Sequence, residues 1–326
     1  MMKRLRLVIV AFISCSLLSA GTVQASALSQ PGIGPVPAGF KILSLLLKDK
    51  GNAQAVALDP TGDAAWFTNY KTSEIGRITL TGSLTEYKTP TQFSRPTDIV
   101  AGPDGDMWFT EFNSGKIGRI TENGSITEVH ALHFDHVLKI CVGPDGALWF
   151  TGVGHGVSMV GRVTTSGRFT DFPIPWAWDI TPGPDGNLWI SGGGSVFRMT
   201  PNGVVTQFLV HSDSMIGDIA TGVDGHLWFW LNRPGVGYEI GRMTTTGAFK
   251  EFPLGASHVV SDLISANGGI WFSLGASAGG GVGSIGERGN IAYYFPQACD
   301  MAYGLSAATD GSLWFTCWQS MDVFVK

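Results

Sequence analysis

Short apolar runs broken by Gly, Pro, Asp and Asn recur along this chain, and none carries a sustained 3.6-residue apolar period. One stretch shows the pattern in full. Thr97 to Ala101 reads as a strand, Gly102-Pro103-Asp104-Gly105 as a tight turn and Met107 to Glu111 as a second strand. Lys116 to Thr121 then reads as a third strand, Glu122-Asn123-Gly124-Ser125 as another turn and Ile126 to His130 as a fourth. Asp-Gly and Asn-Gly supply the positive φ that such hairpin turns need.

The turn and the aromatic strand after it repeat: DPTGDAAWF (59–67), GPDGDMWF (102–109), GPDGALWF (143–150), GPDGNLWI (183–190), GVDGHLWF (222–229), SANGGIWF (265–272) and ATDGSLWF (308–315). Their tryptophans, Trp66, Trp108, Trp149, Trp189, Trp228, Trp271 and Trp314, are spaced 42, 41, 40, 39, 43 and 43 residues apart. Four strands in a unit of this length form a propeller blade. The fold class predicted is therefore all-β: a seven-bladed β-propeller of four-stranded antiparallel blades. The last unit supplies only a third strand, Asp322 to Lys326, whereas Phe40 to Leu46 matches a fourth strand with no blade of its own. Pairing the two would complete blade seven and remove an open sheet edge.

Alternating strand direction puts the second–third loops and the connections between blades on one face, here called upper. From the anchor Trp to the third-strand aliphatic is 9 residues in blade two, 11 in blade three, 12 in blade five and 14 in blade six. Variable loops on a rigid scaffold carry binding, so the upper face is the expected site. Trp176, Trp178, Trp230 and Trp318, which are not repeat anchors, map there with Tyr70, Phe112 and Tyr303, and would offer stacking surface to a small-molecule or peptide ligand. Asp98, Asp179, Asp218 and Asp262 share one register position, one residue before the first-strand aliphatic. They would either hold a cation or hydrogen-bond the neighbouring blade. Gly281-Val282-Gly283-Ser284-Ile285-Gly286 matches a dinucleotide fingerprint by letter, but it joins two strands and opens no helix.

Composition adds compartment and partners. Residues 1–25 read as a signal peptide, with Lys3, Arg4 and Arg6 before an apolar run from Leu7 to Leu18 and small residues near Ala25. Residues 26–35 would be a linker and 36–326 a single propeller domain. Export to the periplasm or medium follows, with no membrane insertion once the signal is removed. The formal charge would move from −5 to −8, and no basic run remains for nucleic acid. A monomer is expected. Cys299 and Cys317 both reach the upper face of blade seven and are disulfide candidates in an oxidising compartment. Cys141 reads as a buried thiol.

Trp108-Phe109-Thr110-Glu111, Lys116-Ile117-Gly118-Arg119-Ile120-Thr121 and Asn123-Gly124-Ser125-Ile126-Thr127-Glu128 resemble the repeat of the virginiamycin B lyase (streptogramin lyase) family. Ile-Gly-Arg elements recur in degenerate form at 75–77, 117–119, 160–162 and 240–242. The resemblance implies a lyase that opens a cyclic depsipeptide by elimination across an ester, with a divalent metal such as Mg²⁺. It also implies histidines and a tyrosine two positions before the first-strand aliphatic, and a glutamate after the Trp-Phe-x of a late blade. Here the first set of positions holds Gln54, Thr97, Leu138, Trp178, Gly217, Ser261 and Tyr303. The second holds Asn69, Glu111, Gly152, Gly192, Leu231, Leu274 and Cys317, so only blade two keeps the acid. The elimination needs a base and a metal-stabilised enolate, and neither is in register.

The reading is thus an exported propeller that binds a small or peptidic ligand without the family's catalysis, with polar contacts from Glu111, His136 and His258. One alternative is a lyase using a rearranged set drawn from His136, His258, Glu111 and Tyr303 with Mg²⁺; His155 and His211 also lie in upper loops. Another is a structural or protein-docking propeller.

Overall fold

The repeat's second strand is buried on both faces, and this organises each unit. Met107–Glu111 is buried at every position, whereas the outer strand Ile126–His130 alternates between exposed and half-buried. Apolar content therefore falls from the middle of the blade to its rim. The computed structural model describes residues 41–46, 52–79, 82–255, 258–275, 280–295, 299, 301–317 and 320–325. The signal peptide, linker and Trp318 expectations lie outside these residues.

The described strands form an all-β propeller of four-stranded antiparallel blades, with seven such sheets. Six are built from consecutive strands. In the remaining sheet Lys41–Leu46 pairs antiparallel with Ser320–Val325, from Lys41 opposite Val325 to Leu46 opposite Ser320. Innermost strands touch in succession round the axis, and that of the last blade (Ala302–Ala307) touches that of the first (Ala53–Leu58). The last blade thus joins segments from the two ends of the sequence, and Lys41–Leu46 covers the outer edge that Ser320–Val325 would otherwise expose.

The repeat letters have physical partners. A Cβ on Gly118, of the Ile-Gly-Arg element, would fall inside the ring of Phe109, and Gly76, Gly161 and Gly241 stand likewise under Phe67, Phe150 and Phe229. The strand-two phenyl lies flat on the strand-three glycine, so the two motifs form one packing unit. The turn aspartate accepts the anchor's indole N–H: Trp108 Nε1 donates to Asp104 at 3.0 Å, Trp149 to Asp145 at 2.8 Å, Trp189 to Asp185 at 3.0 Å and Trp228 to Asp224 at 3.1 Å. Arg119, Arg162 and Arg242 lie over the same indoles and pair with the turn carboxylates. These aspartates are hairpin residues, as expected, and they also anchor the core tryptophans.

In the last blade Cys299 and Cys317 are joined by a disulfide, with Cα atoms 5.5 Å apart and a separation of 18 residues. Closing a loop of that size restricts the unfolded chain, a contribution of about 3 kcal/mol. Mild reduction is expected to lower the melting temperature by several degrees, measured with and without reductant. An unchanged melt would show that the bridge contributes nothing. Cys141 is a free cysteine, and burial pushes its thiol well above the usual range.

Candidate functional site

Six of the seven innermost strands bulge where they enter the channel. The pairing register shifts in this way between Pro96 and Ile99, Val137 and Ile140, and Ile216 and Ile219. A bulge turns two successive side chains toward the lumen and leaves a backbone N–H outside the ladder. In six blades a hydroxyl two residues after the anchor Trp accepts a backbone N–H of the innermost strand at this point: Thr68 from Ala55, Thr110 from Asp98, Thr151 from Lys139, Ser191 from Asp179, Ser273 from Asp262 and Thr316 from Gly304. Some hydroxyls also donate to the next blade, as Thr110 does to Leu138 O at 2.8 Å and Thr151 to Trp178 O at 2.7 Å.

Blade five departs from this rule. Its hydroxyl position is Trp230, and the residue that would collide with the indole is Gly217, where an added Cβ would fall within the six-membered ring. Trp230 is 4% exposed, and its Nε1 has no hydrogen-bond partner among the described residues.

The bulges and this exception shape a cavity of about 360 Å³ at the upper mouth. Five aromatic side chains from five blades converge on it: Tyr70, Phe112, Trp178, Trp230 and Tyr303. Trp178 is 46% exposed and presents its ring to the opening. Arg95 rests 5.1 Å from the Tyr70 ring centre and donates to its hydroxyl at 3.2 Å.

Below the aromatic collar the next register position forms a charged waist. Lys139 Nζ crosses from blade three to blade five and meets Asp218 Oδ2 at 2.6 Å, while Trp178 Nε1 donates to Asp218 Oδ1 at 3.2 Å. Asp98, Asp179 and Asp262 bridge blades instead: Ile140 N donates to Asp98 at 2.8 Å, Ile219 N to Asp179 at 2.8 Å and Leu305 N to Asp262 at 2.6 Å. Lys139 and Asp262 line both the upper cavity and a second chamber of about 400 Å³ below it.

Burial raises the pKa of Asp98 and takes that of Asp179 well above the carboxylate range, with the Asp218 charge adding to both. Burial brings Asp262 to about 7; Lys139 opposes the shift and Asp218 reinforces it. The carboxylates hold Lys139 well above its ordinary value despite burial.

The remaining expected site residues stand outside the cavity lining. Trp176 is a correction: it is 62% exposed and lies against Gly192 and Gly193, not in the collar. His136 stacks on Phe112 at 4.6 Å and bonds Phe112 O through Nδ1 at 3.0 Å, one ring behind the wall. His258 stacks on Tyr293 at 4.6 Å. His211 Nε2 meets Glu251 at 2.6 Å, and the backbone of His155 donates to Asp135. Glu111 is fully buried, with Ser114 Oγ donating to Oε2 at 2.7 Å and Oε1 unpartnered among the described residues. Burial raises its pKa to about 7, and Glu128 adds to the shift against Lys116.

Both Glu111 and Asp262 keep a proton in the folded chain that the unfolded chain loses near pH 4. Their contribution to stability is full below about pH 4 and is lost as pH rises through about 7. Denaturant melts are expected to show stability falling by up to a few kcal/mol between pH 5 and 8, since a tenfold change in proton affinity is worth about 1.4 kcal/mol. Asp262→Asn should flatten part of that slope. A profile that rises over this range would contradict the assignment.

The virginiamycin B lyase family model matches residues 23–175 and 134–324, nearly the whole chain. The chain belongs to the virginiamycin B lyase family. Among solved structures, a streptogramin B lyase is 25% identical with a TM-score of 0.79, over 88% of this chain and 97% of that one. Virginiamycin B lyase from Staphylococcus aureus is 26% identical with a TM-score of 0.78, covering 88% of this chain and 99% of that one. A catalytically inactive variant of that enzyme with quinupristin gives the same figures. Hydrazine synthase from Kuenenia stuttgartiensis, 14% identical with a TM-score of 0.71, shows the fold alone. No curated protein matches the chain in sequence.

The Mg²⁺ that the family resemblance implies does not fit the residues present. Among the described residues no three His, Cys, Asp or Glu side chains gather closely enough to hold a metal. Among the described residues no histidine or glutamate lines the mouth. The waist carboxylates already accept backbone N–H groups or pair with Lys139.

Two features were missed in the sequence. Lys139 occupies the register of the four aspartates and could have been found by writing all seven residues of that position in a column. The Gly217–Trp230 pair is visible as a joint departure from the repeat, a glycine in the mouth and an indole in place of a hydroxyl.

Proposed function

We propose that this member of the family is an exported, seven-bladed ligand-binding propeller whose upper mouth takes a small or peptidic ligand without eliminating across an ester. The observation that supports the reading is the convergence of Tyr70, Phe112, Trp178, Trp230 and Tyr303 on one open cavity. Preformed aromatic walls with a few polar groups suit stacking on a ligand ring or peptide side chain. The Cys299–Cys317 bridge supports an oxidising compartment.

Two measurements test this. A crystallographic screen of small aromatic and dipeptide fragments is expected to give hits in the mouth that disappear in Trp178→Ala; hits only elsewhere would reject the site. Quinupristin incubated with the protein and Mg²⁺ is expected to come back with its ring closed. Elimination leaves the mass unchanged, so the readout is chromatographic retention and fragmentation. An opened ring would establish turnover and reject the non-catalytic reading.

A further inference from the structure

The mouth also has a charge preference. Its lining carries two carboxyl groups, Asp218 and Asp262, against one ammonium, Lys139, and Asp98 and Asp179 stand in the same register round the waist. Among the described residues Lys139 is the cation that faces these carboxyls at this level. Above them stand the aromatic side chains of the collar, and the face of an aromatic ring carries negative potential. Of the cations described at this end of the channel, Lys139 is already bound to Asp218 at 2.6 Å and Arg95 is engaged by Tyr70, whereas Asp262 pairs with no cation in hydrogen-bonding reach and adds negative charge once ionised.

Two cation classes can be separated by geometry. A metal ion needs several oxygens converging within coordination distance, and no such set gathers among the described residues. The outer oxygens of Asp98, Asp179 and Asp262 point to the next blade's N–H groups. A delocalised organic cation needs no direct ligation. It is held by ring faces and a nearby negative field, as in the aromatic cages that bind quaternary ammonium groups. An anion would meet Asp218 and Asp262 with no unpaired cation among the lining residues to receive it.

We propose that the mouth takes an organic cation, an alkylammonium or quaternary ammonium group, with Trp178 and its aromatic neighbours as walls and the Asp218–Asp262 edge as counter-charge. This rests on the reading that the mouth is a binding site and adds the class of ligand.

The test compares choline with 3,3-dimethyl-1-butanol, the isostere in which carbon replaces the charged nitrogen. Binding is followed by calorimetry and tryptophan fluorescence at pH 8, where Asp262 is ionised. Choline is expected to bind at least tenfold tighter than the alcohol, and Asp262→Asn to weaken choline about fivefold while leaving the alcohol unchanged. The choline-to-alcohol ratio in the unmodified protein needs no variant to fold. Equal binding of the two probes, both lost in Trp178→Ala, would overturn the charge preference and leave the mouth intact as a site. Failure of choline to bind while neutral fragments occupy the mouth would overturn it likewise. Failure of every probe and fragment would remove the site itself.

Discussion

Lys139→Met is expected to cost about 3–5 kcal/mol of folding stability, the range found when one partner of a buried ion pair is removed. The effect is large because of what remains. Asp218 has a side chain only 2% exposed and would keep the indole N–H of Trp178 as a donor but no cation. Asp98, Asp179 and Asp262 would lose the cation that opposes their mutual repulsion. The loss should shrink at low pH, where the waist carboxyls take up protons, and the double change Lys139→Met with Asp218→Asn should recover part of it. Urea denaturation at pH 5 and pH 8 reads both effects. A cost below about 1 kcal/mol at both pH values would mean that water in the lumen already solvates Asp218, whose neighbour Lys139 is 26% exposed.

The architecture was legible because its signals are local and repeated. Trp108, Phe109 and Gly118 state one packing unit, and the same letters at a fixed period state how often it is built. The ring closure was legible because Phe40 to Leu46 lacked a blade of its own, and the observed pairing of Lys41–Leu46 with Ser320–Val325 matches that expectation. The site was legible only by position. Register placed Tyr70, Phe112, Trp178, Trp230 and Tyr303 on the upper face, and all five line the cavity.

Register did not reveal which way a side chain in a connection turns. Trp176 and Trp178 are two residues apart, yet the first lies outward on Gly192 and Gly193 and the second reaches the waist carboxylate Asp218. Nor did it separate the four aspartates. Three bridge blades through backbone N–H groups, while Asp218 turns to Lys139, because only the folded ring brings residues 79 apart within bonding distance. Cross-channel contacts of that kind have no periodic signature in a chain read one unit at a time.

The exception in blade five gives the second large effect. Gly217→Ala is expected to destabilise the protein by about 1–3 kcal/mol, the range for overpacking a filled interior. The new methyl would occupy the place of the Trp230 six-membered ring, which is buried against Leu254, Val260 and their cluster. The indole could yield only toward the cavity it lines, so any Gly217→Ala protein that folds should also have lost ligand affinity in the mouth. Trp230→Thr alone would enlarge the cavity and restore the hydroxyl that the six other blades use to hold an innermost-strand N–H. In that background Gly217→Ala should become nearly neutral, because its steric partner is gone. Chemical denaturation of the two single variants and the double variant measures the coupling, expected at about 1 kcal/mol or more in size. Additive effects would mean that Gly217 is required by its own backbone and not by the indole above it, and the mouth would then owe its shape to the bulges alone.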